Sequence, residues 1–231
     1  MDVFHDIDTW IFDLDNTLYP PECNLFAQID QRMGAFIADF LEVDATEARR
    51  IQKQYFKDYG TTLNGLMSVH NLEPKRFLDY VHDIDHTPIQ HNPSLDQAMH
   101  DLEGKKFIFT NGTVYHAEQV IDRLGISHHF EDIFDIEATS YIPKPRAQAY
   151  HHVLEKTQLD PTKSVLFEDI ARNLEVPHDL GMTTVFVKAK TNHPDEYLGI
   201  LGTGEEDHIH FVTNDLPVFL QDIANNKGKK S

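Results

Sequence analysis

An apolar run that ends in two closely spaced acids constrains this fold more than any other feature. Three bulky apolar residues, at positions 10–12, are followed at once by Asp13 and Asp15. Such a run is typical of a short buried β-strand. Alternate side chains of an extended segment point the same way, so we expect both carboxylates to project together. Like charges this close raise each other's pKa unless a cation lies between them, and Mg²⁺ prefers such oxygen ligands. The sequence therefore predicts a strand that ends at a magnesium site.

The chain is strongly acidic, which excludes two classes of partner. Its 231 residues include 20 Lys and Arg against 38 Asp and Glu, a formal net charge of −18. Duplex nucleic acid and anionic membranes both require a basic face, so we expect neither as a partner. Cys23 is the single cysteine, so neither a disulfide framework nor a cysteine-based zinc site is expected. No apolar run approaches the roughly 18 residues of a membrane-spanning helix, and we expect a cytoplasmic protein.

Strand and helix patterns alternate along most of the chain. Four further β-rich runs lie at residues 107–109, 165–167, 183–187 and 209–212. Between them, apolar residues recur at helical spacing over residues 117–124, followed by Gly125 as a C-terminal cap, and over residues 147–154. Near-continuous apolar strands that alternate with helices predict an α/β fold, a Rossmann-like doubly wound parallel sheet.

The segment from Tyr19 to His91 departs from this alternation. It contains four helical stripes of apolar residues, which begin at Phe26, Ala48, Leu63 and Phe77. Connectors that contain proline flank it at residues 20–21 and 88–93. We therefore expect two domains. Residues 1–18 and 92–231 form the α/β core, and residues 19–91 form an inserted α-helical cap. The pattern fits a mobile lid and a fixed helical layer equally well.

Polar residues follow three of the predicted strands. They are Asp13 and Asp15, then Thr110 and Asn111, then Glu168 and Asp169. Ligands of open parallel sheets bind beyond the carboxyl ends of the strands, so we expect these three clusters to meet at one edge. Lys144 lies between two prolines, which stiffen its backbone and suit a residue that holds its ammonium at one point.

A proline also limits where one helix starts. Pro177 lies a few residues after Asp169, and proline is tolerated in the first turn of a helix, where N–H groups lack intrahelical partners. The helix is therefore predicted to begin near Asn173, with residues 168–172 as a loop.

These motifs, in this order, resemble those of the haloacid dehalogenase superfamily of aspartyl-phosphate hydrolases. The resemblance covers essentially the whole chain. Its residues are the D-x-D-x-T loop at positions 13–17, Thr110, Lys144, and the acidic pair at positions 168–169. Within the superfamily, residues 13–20, 59–62 and 167–181 are similar to the pyrimidine 5′-nucleotidase branch.

The resemblance implies a Mg²⁺-dependent hydrolase of phosphate monoesters. Asp13 would attack phosphorus, and Asp15 would protonate the leaving alkoxide and later deprotonate the attacking water. Mg²⁺ would be bound by Asp13, Asp169 and the main-chain carbonyl of Asp15.

Five further residues have roles implied by the resemblance. Thr110, the backbone amide of Asn111 and the ammonium of Lys144 would bind the phosphoryl group. Glu168 would contact the metal through water or another ligand. Asn173, where many relatives carry an acid, would orient a ligand or cap a helix.

The same resemblance implies a small phosphorylated metabolite as substrate, preferably a pyrimidine nucleoside monophosphate such as UMP or CMP. A sugar phosphate phosphatase or a phosphomutase of the superfamily is the alternative. A haloacid dehalogenase fits less well, because Asp15 would have no alkoxide to protonate, and a non-catalytic nucleotide-binding module would not need the complete set of site residues. We do not expect the 15 histidines to form a zinc site. We expect a monomer or a homodimer.

Overall fold

A single parallel sheet organises the protein. The computed structural model describes residues 2–190 and 201–227. Its strands are β1 (Thr9–Phe12), β2 (Lys105–Phe109), β3 (Asp132–Phe134), β4 (Ser164–Glu168), β5 (Thr183–Val187) and β6 (Phe211–Thr213). They lie in the order β3–β2–β1–β4–β5–β6, and each neighbouring pair is parallel. The first strand of the chain is therefore an interior strand of the sheet, between β2 and β4.

Helices cover both faces of the sheet. The helices of the described chain are α1 (Leu25–Leu41), α2 (Ala45–Tyr59), α3 (Thr62–His70), α4 (Pro74–Val81), α5 (Pro93–Asp101), α6 (Val114–Leu124), α7 (Ala147–Thr157), α8 (Glu175–Asp179) and α9 (Leu216–Lys227). Helices α5, α6 and α9 contribute to one hydrophobic cluster, and α7 and α8 to another. The predicted doubly wound α/β fold with an inserted group of helices is confirmed. Within residues 2–190 and 201–227, no helix combines the length and apolar character that a membrane crossing requires.

The side chains of β1 alternate between the two cores. Trp10 and Phe12 belong to the first cluster and Ile11 to the second, and all four residues of the strand are buried. The ring of Phe12 stacks on that of Phe167 from β4, with centroids 4.7 Å apart. This two-sided burial explains the unbroken apolar run in the sequence, because a strand covered on both faces has no polar side.

Helices α1 to α4 build a third core of their own. It is formed by apolar residues spaced along the four helices, among them Ile29, Phe36, Leu66, Phe77 and Val81. The ends of the segment join the first cluster of the sheet instead, through Tyr19 before α1, Leu25 at the start of α1 and Ile89 after α4. The exact division of the chain at residues 19 and 91 stays a prediction.

Two strands differ from their sequence prediction. β3 was missed because it has three residues and lies at the edge of the sheet, and its first residue, Asp132, is exposed. β6 was predicted over residues 209–212 but comprises Phe211–Thr213. It begins later because the N–H of Ile209 is already used in a turn, where it donates to the carbonyl of Glu206.

The helical segment after β4 begins close to its predicted start at Asn173, but with a 3₁₀ turn. A 3₁₀ turn covers Ala171–Leu174, and α8 follows directly, with Pro177 as its third residue. Proline is therefore in the first α-helical turn, as its missing N–H requires. The predicted loop is correspondingly shorter, because Glu168 is still the last residue of β4.

Close packing of α2 against α3 depends on Gly65. A Cβ atom at this position would lie 2.4 Å from both Cβ and Cγ of Tyr55. Cβ of Tyr55 is bonded to the backbone and cannot move aside by side-chain rotation, so Gly65→Ala should force the helices apart and destabilise the protein by about 1–3 kcal/mol. Urea unfolding measures the change.

Gly34→Ala on α1 is the matched control, because the nearest heavy atom to its added Cβ is Gln52 Oε1 at 3.4 Å. There we expect a gain of up to about 1 kcal/mol from the higher helix propensity of alanine. Equal effects of the two substitutions would contradict the packing argument.

Candidate active site

The predicted polar clusters meet at one edge of the sheet. They follow β2, β1 and β4, which are neighbours. Asp13 extends the ladder by one residue, since its N–H donates to the carbonyl of Phe167 at 2.9 Å. Thr110 does the same on the other side, where its N–H donates to the carbonyl of Phe134 at 2.9 Å. The parallel ladder therefore fixes the backbone from which these side chains project.

Lys144 is the centre of the site. Its Nζ donates to Asp13 Oδ1 at 2.7 Å, to Glu168 Oε2 at 2.7 Å and to the carbonyl of Phe109 at 2.8 Å. Its side chain is only 1% exposed. Burial alone would lower the pKa of Lys144, but Asp13 and Glu168 outweigh it and raise that pKa above the usual value. All three protons of the ammonium are therefore engaged, so in this arrangement it can act on a phosphate by charge rather than by a free hydrogen bond.

Three buried carboxylates surround this single ammonium. One carboxylate oxygen each from Asp13, Glu168 and Asp169 lie within 4.8 Å of one another. Burial, reinforced by Glu168, raises the pKa of Asp13 to about 7 although Lys144 opposes the shift. Burial and Glu168 also raise the pKa of Asp169 well above its usual value. One lysine does not balance three acids here, and this excess of hard oxygen donors fits a divalent cation such as Mg²⁺.

Asp15 points to different partners. Its Oδ1 accepts hydrogen bonds from the hydroxyl of Tyr19 at 2.5 Å and from His116 Nε2 at 2.8 Å. Burial would raise the pKa of Asp15, but the charge and hydrogen bond of His116 and the hydrogen bond of Tyr19 lower it to about 2.

The strand alternation expected for Asp13 and Asp15 does not extend to Asp15. β1 ends at Phe12 and residues 15–18 form a turn, with Asn16 at φ 59°. The alternation of an extended strand therefore does not set the direction of Asp15. The two acids are nevertheless close enough for the charge of Asp15 to raise the pKa of Asp13.

The side chain of Asn111 has a role that the sequence did not indicate. Its Oδ1 accepts from the N–H of Lys144 at 2.9 Å, and its Nδ2 donates to the carbonyl of Lys144 at 3.3 Å. This reciprocal pair holds the backbone of the lysine. Thr110 is buried, and its Oγ1 accepts from the N–H of Gly112 at 2.9 Å.

The two remaining predicted residues lie beside this group. Glu168 contacts Lys144 directly, and its other oxygen accepts from the N–H of Ile170 at 3.2 Å. Asn173 is inside the 3₁₀ turn, and the cap positions there are Ile170 and Leu174, so its predicted role as a helix cap is wrong. Within the described residues its buried Oδ1 has no hydrogen-bond partner.

Sequence reasoning missed Tyr19 and His116. Tyr19 follows Asp15 by four residues, a spacing that brings it back only because the intervening residues form a turn. His116 is 101 positions away in the chain. Its signal in the sequence is its place near the start of the helix after β2, six residues beyond Thr110.

Comparison with known proteins agrees with this architecture. The model of the haloacid dehalogenase-like hydrolase family matches residues 7–181. Glyceraldehyde 3-phosphate phosphatase of Methanocaldococcus jannaschii is 25% identical over 222 residues, which cover 88% of this chain and 96% of that protein. Phosphate metabolism protein 8 of Saccharomyces cerevisiae is 29% identical over 136 residues. That match covers 54% of this chain and 42% of the yeast protein, so the chain spans less than half of that relative.

A solved structure shares the fold. The crystal structure of an HAD phosphatase from Thermococcus onnurineus superposes with a TM-score of 0.59 at 16% identity, over 94% of this chain and 97% of that one.

Removal of the central ammonium should destabilise the fold. Lys144→Ala leaves Asp13 and Glu168 buried without their cation, and the loss of one partner of a buried ion pair costs about 3–5 kcal/mol. Urea unfolding at neutral pH measures this.

The control is Lys156→Ala on α7, whose exposed ammonium lies 3.8 Å from Asp132 and should contribute little. A Lys144→Ala protein as stable as this control would contradict the description of the site.

Proposed function

Because the chain belongs to the haloacid dehalogenase-like hydrolase family, we propose that it is a phosphatase that hydrolyses phosphate monoesters through a phosphorylated Asp13. The observation that carries this proposal is the buried contact between Asp13 and Lys144 beside Glu168 and Asp169. A relative named as a phosphatase of a small phosphorylated molecule aligns over most of the chain and supports the reaction class.

In the first step, the Asp13 carboxylate attacks phosphorus. Lys144 binds Oδ1, which leaves Oδ2 as the attacking atom. The new bond joins Oδ2 to phosphorus, and the bond between phosphorus and the ester oxygen breaks. The departing oxygen takes a proton from Asp15 and leaves as an alcohol. Such acid assistance contributes typically about 10²–10⁴-fold.

In the second step, water displaces Asp13 from phosphorus. Asp15, now a carboxylate, accepts a proton from the water, and the water oxygen bonds to phosphorus. The bond between phosphorus and Asp13 breaks, so phosphate is released and the Asp13 carboxylate is restored. Asp15 regains in this step the proton that it gave in the first, and it releases that proton to solvent when phosphate leaves, which restores the starting state.

The protonation of Asp15 is coupled to the substrate. With its pKa lowered to about 2, Asp15 is ionised at neutral pH before substrate arrives. A phosphate dianion beside it is a like charge, which raises the pKa of the carboxyl group. We therefore infer that Asp15 takes up its proton as the phosphate ester binds.

The excess of carboxylates supports a magnesium enzyme. Asp13, Asp169 and the main-chain carbonyl of Asp15 would hold the ion, with Glu168 at its edge. Bound there, Mg²⁺ would reduce the repulsion between the carboxylates and the phosphoryl oxygens. The ammonium of Lys144 supplies a further positive charge, which comes from the protein rather than from the ion.

We propose that helices α1 to α4 act as a cap over the strand ends. The turn between α2 and α3 supports this, because a Cβ on Gly60 would lie 3.7 Å from Pro143 and 3.9 Å from the carbonyl of Lys144. Arg172, just after β4, donates to the carbonyl of Gly60 at 3.3 Å, and its guanidinium lies 4.5 Å from the ring centroid of Phe56. The cap therefore reaches the site through this turn.

The preferred substrate we propose is a pyrimidine nucleoside monophosphate. Residues 13–20, 59–62 and 167–181, which resemble the pyrimidine 5′-nucleotidase branch, lie around the site: the first holds Asp13, the second forms the turn over Lys144 and the third holds Asp169. Within the second, Thr62 is buried and donates to the carbonyl of Gln52, so it is part of the cap core. A small sugar phosphate is the second candidate, favoured by the alignment with glyceraldehyde 3-phosphate phosphatase over 222 residues.

Asp13→Asn should abolish turnover and leave the fold intact. The amide is not a nucleophile, so hydrolysis of p-nitrophenyl phosphate should fall below detection. Because one of three crowded acids is removed, the melting temperature should stay equal or rise.

The matched control is Asp132→Asn, an exposed acid at the start of β3, which should keep full activity. Turnover by the Asp13→Asn protein at the wild-type rate would exclude a phosphorylated Asp13.

A substrate panel should separate the two candidates. We expect kcat/KM for UMP and CMP to exceed that for glyceraldehyde 3-phosphate at least about 10-fold, a discrimination within the reach of a few pocket contacts. EDTA should stop every reaction, and added Mg²⁺ should restore it. Faster hydrolysis of the sugar phosphate would overturn the nucleotide assignment, and activity that survives EDTA would overturn the metal.

A further inference from the structure

Three histidines form a cluster beside Asp15. His116 Nε2 donates to Asp15 Oδ1 at 2.8 Å, and its other ring nitrogen, Nδ1, lies 3.0 Å from His86 Nε2. The ring of His82 stacks on that of His116, with centroids 4.9 Å apart and planes 18° from parallel. All three side chains are buried. We call these three residues the histidine cluster.

The histidine cluster joins two parts of the chain. His116 is on the first turns of α6, which follows β2 and the predicted phosphate-binding residues. His82 caps the C-terminal end of α4, where its N–H donates to the carbonyl of Leu78. His86 is in the segment that returns from the helical insert to α5. Asp15 is therefore linked through His116 to the end of the insert.

The hydrogen bonds fix the ring of His116 on both sides. A carboxylate only accepts, so Nε2 of His116 carries the proton of that bond. Nδ1 shares one further proton with His86, and either direction of that bond holds the ring at the same angle. The stacked ring of His82 blocks rotation out of this plane. His116 consequently has one orientation, with Nε2 directed at Asp15.

Both donors to Asp15 use the same oxygen. Tyr19 and His116 bind Oδ1, which leaves Oδ2 to carry the proton that the leaving group needs. Carboxyl groups rotate over a broad range about their last torsion. Two donors on one oxygen restrict that rotation, and a 1 Å misplacement of a reacting group can cost about 10²-fold in rate.

We propose that His116 is a positioning residue that orients Asp15 toward the leaving group. Through His86 and His82, this orientation depends on how the segment that returns from the cap packs against α6. This inference rests on the proposed function and adds to it a second route, besides the turn at Gly60, by which the cap acts on the reaction. The cap would thereby control the acid as well as cover the site.

The test compares two leaving groups. p-Nitrophenolate leaves without a proton, whereas the alkoxide of UMP requires one, so misplacement of Asp15 should affect only the second. kcat/KM reports the formation of phosphorylated Asp13. For His116→Phe, which keeps an aromatic ring beside His82, we expect kcat/KM to fall about 10²-fold for UMP and to change little for p-nitrophenyl phosphate. His116→Gln, whose amide can still donate to Asp15, should recover part of the loss.

A second position protects the test against misfolding. His86→Phe leaves His116 in place but removes its outer hydrogen bond, and it should show the same selective loss in weaker form. The matched control is His129→Phe, because His129 also pairs with a carboxylate, Asp96, at 2.7 Å and lies in a 3₁₀ turn before β3, away from Asp15. It should leave both substrates unaffected. Melting temperatures of all variants establish that they are folded.

The outcomes are distinct. Selective loss with UMP at position 116 or position 86, and none at position 129, supports the proposal. Equal loss with both substrates, or no loss with either, overturns it and leaves the cluster a packing feature. If the wild-type protein hydrolyses neither substrate, the proposed phosphatase is wrong and this inference falls with it.

Discussion

One buried ammonium among carboxylates is the interaction on which this molecule depends. Lys144 satisfies Asp13, Glu168 and a carbonyl of β2 at once, and it does so where water is largely excluded. A buried charge without partners is strongly unfavourable. The three strands that end at this point must therefore hold their register, or the charges lose their compensation. The excess of negative charge that remains would attract a cation, and the bound cation would in turn attract a phosphate.

The sequence predicts the scaffold of the site well because a general rule governs it. Parallel strands deliver their carboxyl ends to one edge, so three polar clusters after three apolar runs could be placed together before any contact was known. β3 escaped prediction, since three residues at an edge carry little periodicity. The hydrogen bonds of Asp15 with Tyr19 and His116 were missed because the chain turns after β1. Local pattern does not encode such a change of direction.

The contacts that span the chain were also beyond the sequence. His116 reaches Asp15 across 101 positions and Asn111 reaches Lys144 across 33. Neither pair has a spacing that a helix or a strand would make adjacent. The helical segment shows the same limit, because its four amphipathic stripes predicted α1 to α4. Its contacts with the α/β core through Gly60 and His86 depend on how the helices pack against that core, which periodicity does not show.

The clamp formed by Asn111 has a consequence for how such a site can change. The side-chain amide of Asn111 binds the backbone N–H and carbonyl of Lys144 rather than its side chain. The position of the lysine is therefore set by the end of β2 and not by the loop that carries it. Residues on either side of that loop could lengthen, shorten or diverge while the peptide remains docked. The position of Lys144 thus follows from the end of β2, and the sequence of the surrounding loop is free to change.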